Sequence, residues 1–140
     1  MKPAVFDYVV PESLEAAVQA LASANGDGKV MAGGQSLMPL LNFRMARPSV
    51  VVDLMRIPGM SAIELKDDAV AIGALTRHAD LEFSELIATK LPVMSAAMPH
   101  VAHLAIRNRG TIGGSLSHAD PAAELPMLAV FYDATIKAQG

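Results

Sequence analysis

A predicted strand that runs directly into a glycine pair is the feature that most constrains the fold. Segment 29–32 leads into Gly33-Gly34, and residues 37–44 then favour a helix. The β-branched run from Val50 to Leu54 predicts a second, buried strand. Because strand, glycine turn, helix and strand form a βαβ-type unit, we expect a small parallel sheet here. Upstream of this unit, Ser13 is predicted to cap another helix.

The rest of the chain has a mixed pattern. Segments 61–65 and 69–73 flank Lys66-Asp67-Asp68 and predict a hairpin. The later predictions are helices at 79–87 and 92–103, a glycine-rich loop at 110–115, a helix at 122–131 and a strand at 134–138. The change of pattern divides the chain into a first lobe of residues 1–57 and a second lobe of residues 58–140. Because strand 134–138 has no partner after it, we expect a truncated lobe whose unpaired edge promotes self-association.

Composition excludes several classes of function. Hydrophobic residues make up 52% of the chain and charged residues 18%, a balance that argues against disorder. A net charge of −3 and an aromatic content of 4% provide neither the basic stripe nor the stacking surface of a nucleic-acid-binding protein. The absence of cysteine excludes disulfides, thiolate metal ligands and a cysteine nucleophile.

No segment is predicted to target the chain to a membrane or to cross one. The first residues lack the apolar core of a signal peptide, and the uncharged run from Leu91 to Ile106 is interrupted by Pro92 and Pro99. We therefore expect a cytoplasmic location. The high apolar content also predicts that part of the surface faces a partner, a cofactor or further chain.

The first candidate site is the loop Ala32-Gly33-Gly34-Gln35-Ser36-Leu37. Glycines allow positive φ angles and let a ligand approach the backbone closely. Successive N–H groups at the start of a helix can then bind an anion. An ordinary strand-to-helix turn would use the same glycine pair, so this alternative stays open.

The second candidate site is the segment Arg107 to Ser115, which contains Thr111-Ile112-Gly113-Gly114-Ser115. It is expected to offer several free N–H groups and two hydroxyls, although a plain turn with solvated arginines is the alternative. Two such loops in an acidic chain favour a dinucleotide, because backbone N–H groups can hold its phosphates without a net positive charge. Neither loop matches the G-x-G-x-x-G of an NAD domain or the phosphate loop of an NTPase.

Two carboxylates lie close together in the sequence after these loops. Asp120 is predicted to cap the helix at 122–131, with Pro121 at its first position. Glu124 lies near the same helix start and could accept hydrogen bonds from ribose or adenine groups.

The histidines predict neither a metal site nor a hydrolase. His100 and His103 are three apart on a predicted helix, but no third ligand is in register with them. His78 and His118 belong to no Ser-His-Asp arrangement with a strand-elbow-helix context. No catalytic residue and no metal ligand is therefore assigned.

Together the motifs resemble the FAD-binding medium subunit of the molybdenum hydroxylases, the family of carbon monoxide dehydrogenase and xanthine dehydrogenase. The resemblance rests on Ala32 to Pro39, Val52-Asp53-Leu54 and Ile106 to Ser115. It extends to Phe6-Asp7-Tyr8 and Ile72-Gly73-Ala74. It implies an α+β fold, a two-lobed FAD-binding domain of the vanillyl-alcohol-oxidase type. In this fold a small βαβ lobe precedes a mixed sheet-and-helix lobe, which would be incomplete at residue 140.

The resemblance also implies the residues that contact the cofactor. Those that would hold the diphosphate of FAD are Ala32, Gly33, Gly34, Gln35 and Ser36, followed by Leu37, together with Thr111, Ile112, Gly113, Gly114 and Ser115. Glu124 would lie near the adenosine, and Val101 would pack on the flavin ring. Ser115 stands where the family usually has Asn, and Glu124 where it often has Asp, and both replacements keep hydrogen-bonding capacity.

By the same resemblance, the chain takes electrons from an iron–sulfur subunit and passes them to an external acceptor. A subunit carrying the molybdenum cofactor would oxidise the organic substrate. Two alternatives stay open, a stand-alone flavin oxidoreductase of the same broad fold and a cofactor-free domain that only binds partner subunits.

Overall fold

The computed structural model describes residues 1–140, which form two compact units. Unit 1 comprises Met1–Pro58 with Ala138–Gly140, and unit 2 comprises Gly59–Lys137. None of the helices has both the length and the apolar character that a bilayer crossing requires.

Unit 1 alternates strands and helices. Its elements are β1 (Asp7–Val9), α1 (Leu14–Ser23), β2 (Gly28–Met31), α2 (Leu37–Asn42) and β3 (Val50–Asp53). The strands form a parallel sheet in the order β1-β3-β2, which confirms the predicted parallel sheet and adds β1 to it. Val51 and Val52 of the central strand are fully buried, as expected for a strand covered on both faces.

Local sequence signals account for both helices of unit 1. The Ser13 hydroxyl accepts a hydrogen bond from the N–H of Ala16 at 3.2 Å, so the predicted cap of α1 is confirmed. Helix α2 has only six residues and tolerates Pro39 because this residue lies in its first turn. Ser36 precedes α2 without making a side-chain capping bond.

Unit 2 begins with the predicted hairpin, which is confirmed. Strands β4 (Ile63–Lys66) and β5 (Ala69–Ile72) pair antiparallel, and Asp67 adopts a φ of +52° in the turn between them. The helices that follow are α3 (His78–Glu82), α4 (Glu85–Lys90), α5 (Pro92–Ala97), a 3₁₀ turn (Met98–His100), α6 (Leu104–Arg107), α7 (Ile112–His118) and α8 (Glu124–Phe131). Their core is formed by Leu81, Ile87, Met94, Met98, Val101, Ile112, Leu125 and Leu128.

The two long helices predicted for unit 2 are each broken in the structure. The first is interrupted at Ser84, whose hydroxyl accepts from the N–H of Ile87 at 3.3 Å and starts α4 as a new helix. The second gives way to the 3₁₀ turn around Pro99, because proline has no N–H to continue an α-helix.

Three further predictions are corrected. Residues 112–115, predicted as loop, form the start of α7. Helix α8 begins at Glu124 rather than at residue 122. The predicted strand 134–138 is wrong, since residues 134–140 adopt no regular structure. A strand requires a hydrogen-bonded partner, and the sheet of unit 2 contains only β4 and β5.

Candidate functional site

The loop that follows β2 presents unused backbone donors. The N–H groups of Gly33, Gly34, Gln35 and Ser36 donate to no acceptor in the structure. The Gln35 side-chain amide closes the loop by donating to the Gly33 carbonyl at 3.1 Å. Consecutive free N–H groups ahead of a helix form a concave donor surface that suits an anion. The sequence prediction of a donor loop at this position agrees with this geometry.

Gly34 is required by the backbone conformation of this loop. Its φ is +72°, a region that side chains other than glycine rarely adopt. A Cβ added there would lie 3.3 Å from Met38 Cγ and 3.4 Å from Met31 Sδ. Both atoms belong to flexible side chains, so packing alone would tolerate a methyl group. The glycine therefore serves the shape of the loop rather than a tight interior contact.

A carboxylate at the end of the central strand orders the adjacent backbone. Asp53 Oδ1 accepts from the N–H of Met55 at 2.9 Å, and Oδ2 accepts from the Tyr8 hydroxyl. The bond to Asp53, with partial burial, raises the pKa of Tyr8 above its ordinary value. Both oxygens of Asp53 are thus engaged within unit 1.

The second predicted loop is built differently, because its backbone is paired with residues 74–78. An isolated antiparallel bridge joins Arg77 and Thr111. The bonds around it run from His78 N–H to the Gly110 carbonyl (2.9 Å), from Ile112 N–H to the Thr76 carbonyl (3.0 Å) and from Gly113 N–H to the Ala74 carbonyl (2.9 Å). The loop is therefore an integral part of unit 2.

Thr111 satisfies the N–H groups of Gly114 and Ser115, whereas its own N–H donates to no acceptor. Its hydroxyl accepts from the Gly114 N–H at 3.2 Å, and its carbonyl accepts from the Ser115 N–H at 3.0 Å. All four N–H groups from Ile112 to Ser115 are consequently engaged, and the expectation of several free donors there is wrong. The physical reason is that these residues start a helix and border a bridge at the same time.

The glycines of the second loop are demanded by packing. A Cβ on Gly113 would lie 2.6 Å from the Ala74 carbonyl oxygen, and one on Gly110 would lie 2.9 Å from Cε1 of His78. Such distances are too short for carbon atoms, so the glycines permit elements of unit 2 to approach each other.

His78 is a buried residue to which sequence reasoning gave no role. Its side chain is 4% exposed, and Nε2 lies 3.1 Å from the Ser115 hydroxyl oxygen. Burial lowers the pKa of His78, partly opposed by the backbone of Thr111 and the negative charge of Glu124. No short-range pattern could reveal this pair, because 37 residues separate its members.

Arg107 is a second residue whose role depends on tertiary contacts. Only 9% exposed, it donates from Nε to Glu82 at 2.8 Å and forms a salt bridge with it. Its Nη1 donates to the carbonyls of Pro99 (3.2 Å), Val101 (3.1 Å) and Ala102 (3.1 Å). The alternative of solvated arginines is therefore wrong for Arg107, whereas Arg109 is exposed.

The other predicted site residues have different environments. Val101 is 6% exposed and belongs to the core of unit 2, so its packing on a flavin stays a prediction. Glu124 is half-buried in the first turn of α8. Asp120 does not cap α8, because its Oδ1 instead accepts from the Ala122 N–H at 2.9 Å in the preceding turn.

The histidine pair considered for a metal does not share a helix. His100 ends the 3₁₀ turn, and His103 precedes α6. No cluster of three or more histidine, aspartate or glutamate side chains has the geometry to hold a metal ion.

A family model described as the FAD binding domain in molybdopterin dehydrogenase matches residues 4–140. The chain belongs to this family. Its sequence is 57% identical over 139 residues to the 6-hydroxypseudooxynicotine dehydrogenase complex subunit alpha of Paenarthrobacter nicotinovorans, covering 99% of this chain and 47% of the relative. Identity to the caffeine dehydrogenase subunit beta of Pseudomonas sp. (strain CBB1) is 46%, over 90% of this chain and 43% of the relative.

The fold agrees with a solved structure of the same family. Carbon monoxide dehydrogenase from Hydrogenophaga pseudoflava superposes with a TM-score of 0.91 at 38% identity, covering 93% of this chain and 45% of the other. The predicted resemblance and the α+β FAD-binding fold are thereby confirmed. The chain spans about half the length of the curated relatives it matches.

FAD, the cofactor of this family, can be tested against the residues present. The free N–H groups of Gly33 to Ser36 fit the charged oxygens of a diphosphate. In the second loop the N–H groups of Ile112 to Ser115 are engaged, so only the Thr111 N–H and side chains remain for such a ligand. The free donors of the first loop thus fit a diphosphate group.

Proposed function

We propose that this chain is the FAD-binding part of an electron-transfer subunit in a molybdenum hydroxylase complex. It takes electrons from an iron–sulfur subunit and passes them to an external acceptor, while a molybdenum-cofactor subunit oxidises the organic substrate. FAD, when bound, supplies a carrier that accepts and releases these electrons. Membership in the FAD-binding family supports the proposal, as do relatives named as subunits of dehydrogenases.

The observation that carries the proposal is the set of unused donors in the first loop. In this proposal the N–H groups of Gly33, Gly34, Gln35 and Ser36 bind the diphosphate, with Ala32 and Leu37 framing them. Each hydrogen bond to a charged oxygen contributes roughly 1.5–3 kcal/mol. Backbone donors can therefore hold a dianionic group although the chain has a net charge of −3.

In this proposal the second loop contributes a fixed backbone and the side chains that it positions. Thr111 fixes the start of α7 through its bond with the Gly114 N–H, and Ile112 and Gly113 anchor the segment to residues 74–76. The Ser115 hydroxyl is then presented from the first turn of α7. Glu124 accepts hydrogen bonds from the adenosine part, and the turn containing Val101 adjoins the flavin. No acid, base or nucleophile for the organic substrate is assigned to this chain.

Replacement of Gly34 tests FAD binding directly. A Gly34→Val variant of the purified protein should lose most of its flavin, because a side chain at positive φ distorts the donor loop. The measurement is the flavin-to-protein ratio after gel filtration. A Gly26→Val variant is the matched control, since Gly26 also has a positive φ (+88°) and no atom within 4 Å of an added Cβ. Full flavin content in a folded Gly34→Val protein would contradict the role of the loop.

The electron path is tested in the assembled complex. After addition of organic substrate, the Gly34→Val complex should still reduce its iron–sulfur clusters, whereas reduction of an added acceptor should be lost. Rapid-mixing spectroscopy separates these two events. Acceptor reduction that persists without flavin would contradict the proposed path, and a protein that purifies with flavin but without partner subunits would favour the stand-alone oxidoreductase.

A further inference from the structure

His78 holds the second loop at two points that are five residues apart. Its backbone N–H donates to the Gly110 carbonyl at 2.9 Å, and its ring nitrogen Nε2 lies 3.1 Å from Ser115 Oγ. The imidazole also lies against Gly110, where an added Cβ would come within 3.0 Å of Nδ1. The ring therefore has one fixed position relative to the first turn of α7.

The surroundings of the ring determine which nitrogen carries hydrogen. Nδ1 is buried and has no hydrogen-bond partner. A buried N–H without an acceptor costs free energy, and such groups are rare in native proteins. We assign the hydrogen of the neutral ring to Nε2, from which it would donate to Ser115 Oγ. The lowered pKa of His78 agrees with a neutral ring.

This assignment leaves the Ser115 hydroxyl free to donate its hydrogen. Its oxygen accepts from His78, and the Ser115 backbone N–H is already bonded to the Thr111 carbonyl. With the ring hydrogen on Nε2, no acceptor within the chain takes the hydroxyl hydrogen. Because a hydroxyl has a single hydrogen to donate, that hydrogen is available to an external acceptor.

We propose that His78 is a positioning residue, which holds the Ser115 hydroxyl as a hydrogen-bond donor to the diphosphate of FAD. The inference rests on the proposed function and extends it, because it identifies a contact that the second loop makes although the N–H groups of Ile112 to Ser115 are engaged. Donation from His78 to the serine oxygen also polarises the hydroxyl, which strengthens its bond to an anion.

A double-mutant cycle on FAD affinity tests the proposal. FAD is titrated into the flavin-free protein, and its fluorescence gives the dissociation constant. Ser115→Ala and His78→Phe should each raise this constant by roughly tenfold to hundredfold, the range expected for one hydrogen bond to a charged group. The double variant should bind no more weakly than Ser115→Ala alone, because His78 acts through the serine.

Two further variants separate positioning from a general structural role. His78→Gln keeps an N–H near the place of Nε2 and should retain most of the affinity, while Lys90→Ala, at an exposed position at the end of α4, should bind FAD as the wild type does. Thermal unfolding is recorded for every variant. The inference would be overturned if the two substitutions raised the dissociation constant independently, so that their effects multiplied in the double variant. Wild-type affinity in Ser115→Ala would overturn it as well. Neither result would affect the proposed role of the first loop. A wild-type protein that binds no FAD would instead refute the proposed function.

Discussion

The two glycine-containing loops look alike in sequence but differ in how their backbone donors are used. In the first loop, the N–H groups of Gly33 to Ser36 are free, and Gly34 is needed for its φ of +72°. In the second loop, the N–H groups of Ile112 to Ser115 are all bonded, and Gly113 is needed because Ala74 lies against it. A glycine pair can therefore leave backbone donors free in one place and permit interior packing in another. The hydrogen bonds, the φ of Gly34 and the packing of Gly113 distinguish the two loops.

The largest expected effect comes from adding a side chain to the packed glycine. Gly113→Val should lower the free energy of unfolding by about 3 kcal/mol, because its Cβ would lie 2.6 Å from a backbone oxygen that cannot move freely. Urea unfolding of the flavin-free protein measures this. A loss below about 1 kcal/mol, the usual effect of a single substitution, would mean that the second loop is not packed as described.

The corresponding change in the first loop should be milder. Gly34→Ala is expected to cost about 1–2 kcal/mol of stability without flavin, the cost of a side chain in the left-handed region. Gly26→Ala should cost a similar amount of stability, since Gly26 also has a positive φ and an added Cβ would meet no atom within 4 Å. Flavin affinity should separate the pair, with only Gly34→Ala binding weakly. Equal flavin affinities in the two variants would contradict the proposed role of the first loop in FAD binding.

Hydroxyl deletions sharpen the comparison further. Thr111→Ala should cost about 1 kcal/mol of unfolding free energy, the typical value of a helix cap, because the Thr111 hydroxyl accepts from Gly114. Ser36→Ala should change stability by less than about 0.5 kcal/mol, since Ser36 makes no capping bond. Chemical denaturation of both variants without flavin provides the test. Equal losses in the two variants would show that the hydroxyl before α2 is also structural.

The smallest effect concerns acid stability. Burial lowers the pKa of His78 in the folded chain below its ordinary value of 6.5, so the unfolded chain binds the extra proton first as the pH falls. The free energy of unfolding should therefore be highest above pH 6.5 and should decrease as the pH falls from 6.5 to the lowered pKa of His78 in the folded chain. The neighbouring charges of Glu124 and Arg107 modify this response in opposite directions. Melting temperatures between pH 7 and pH 5 should fall less steeply in His78→Phe, and an unchanged slope would contradict the buried neutral ring.

Local sequence determined the elements whose signals are short-range. The Ser13 cap, the β-branched strand from Val50 to Asp53 and the hairpin around Asp67 were all predictable, because each depends on neighbouring residues in the chain. The residue motifs of the two loops were enough to indicate the FAD-binding family, which the match over residues 4–140 confirms. The N–H groups at Gly33-Gly34 are free, and their use in FAD binding stays a prediction.

Only the tertiary structure decided which groups remain free to bind. The pairing of residues 74–78 with the second loop uses donors that the sequence left open, and the ring of His78 meets Ser115 across 37 residues. Arg107 forms a buried salt bridge with Glu82, which is also distant from it in the sequence. The apolar segment 134–138 illustrates the opposite error, since β-propensity predicts a strand but cannot supply its partner. Hydrogen-bond satisfaction is a property of pairs, and most of the deciding pairs here are distant in sequence.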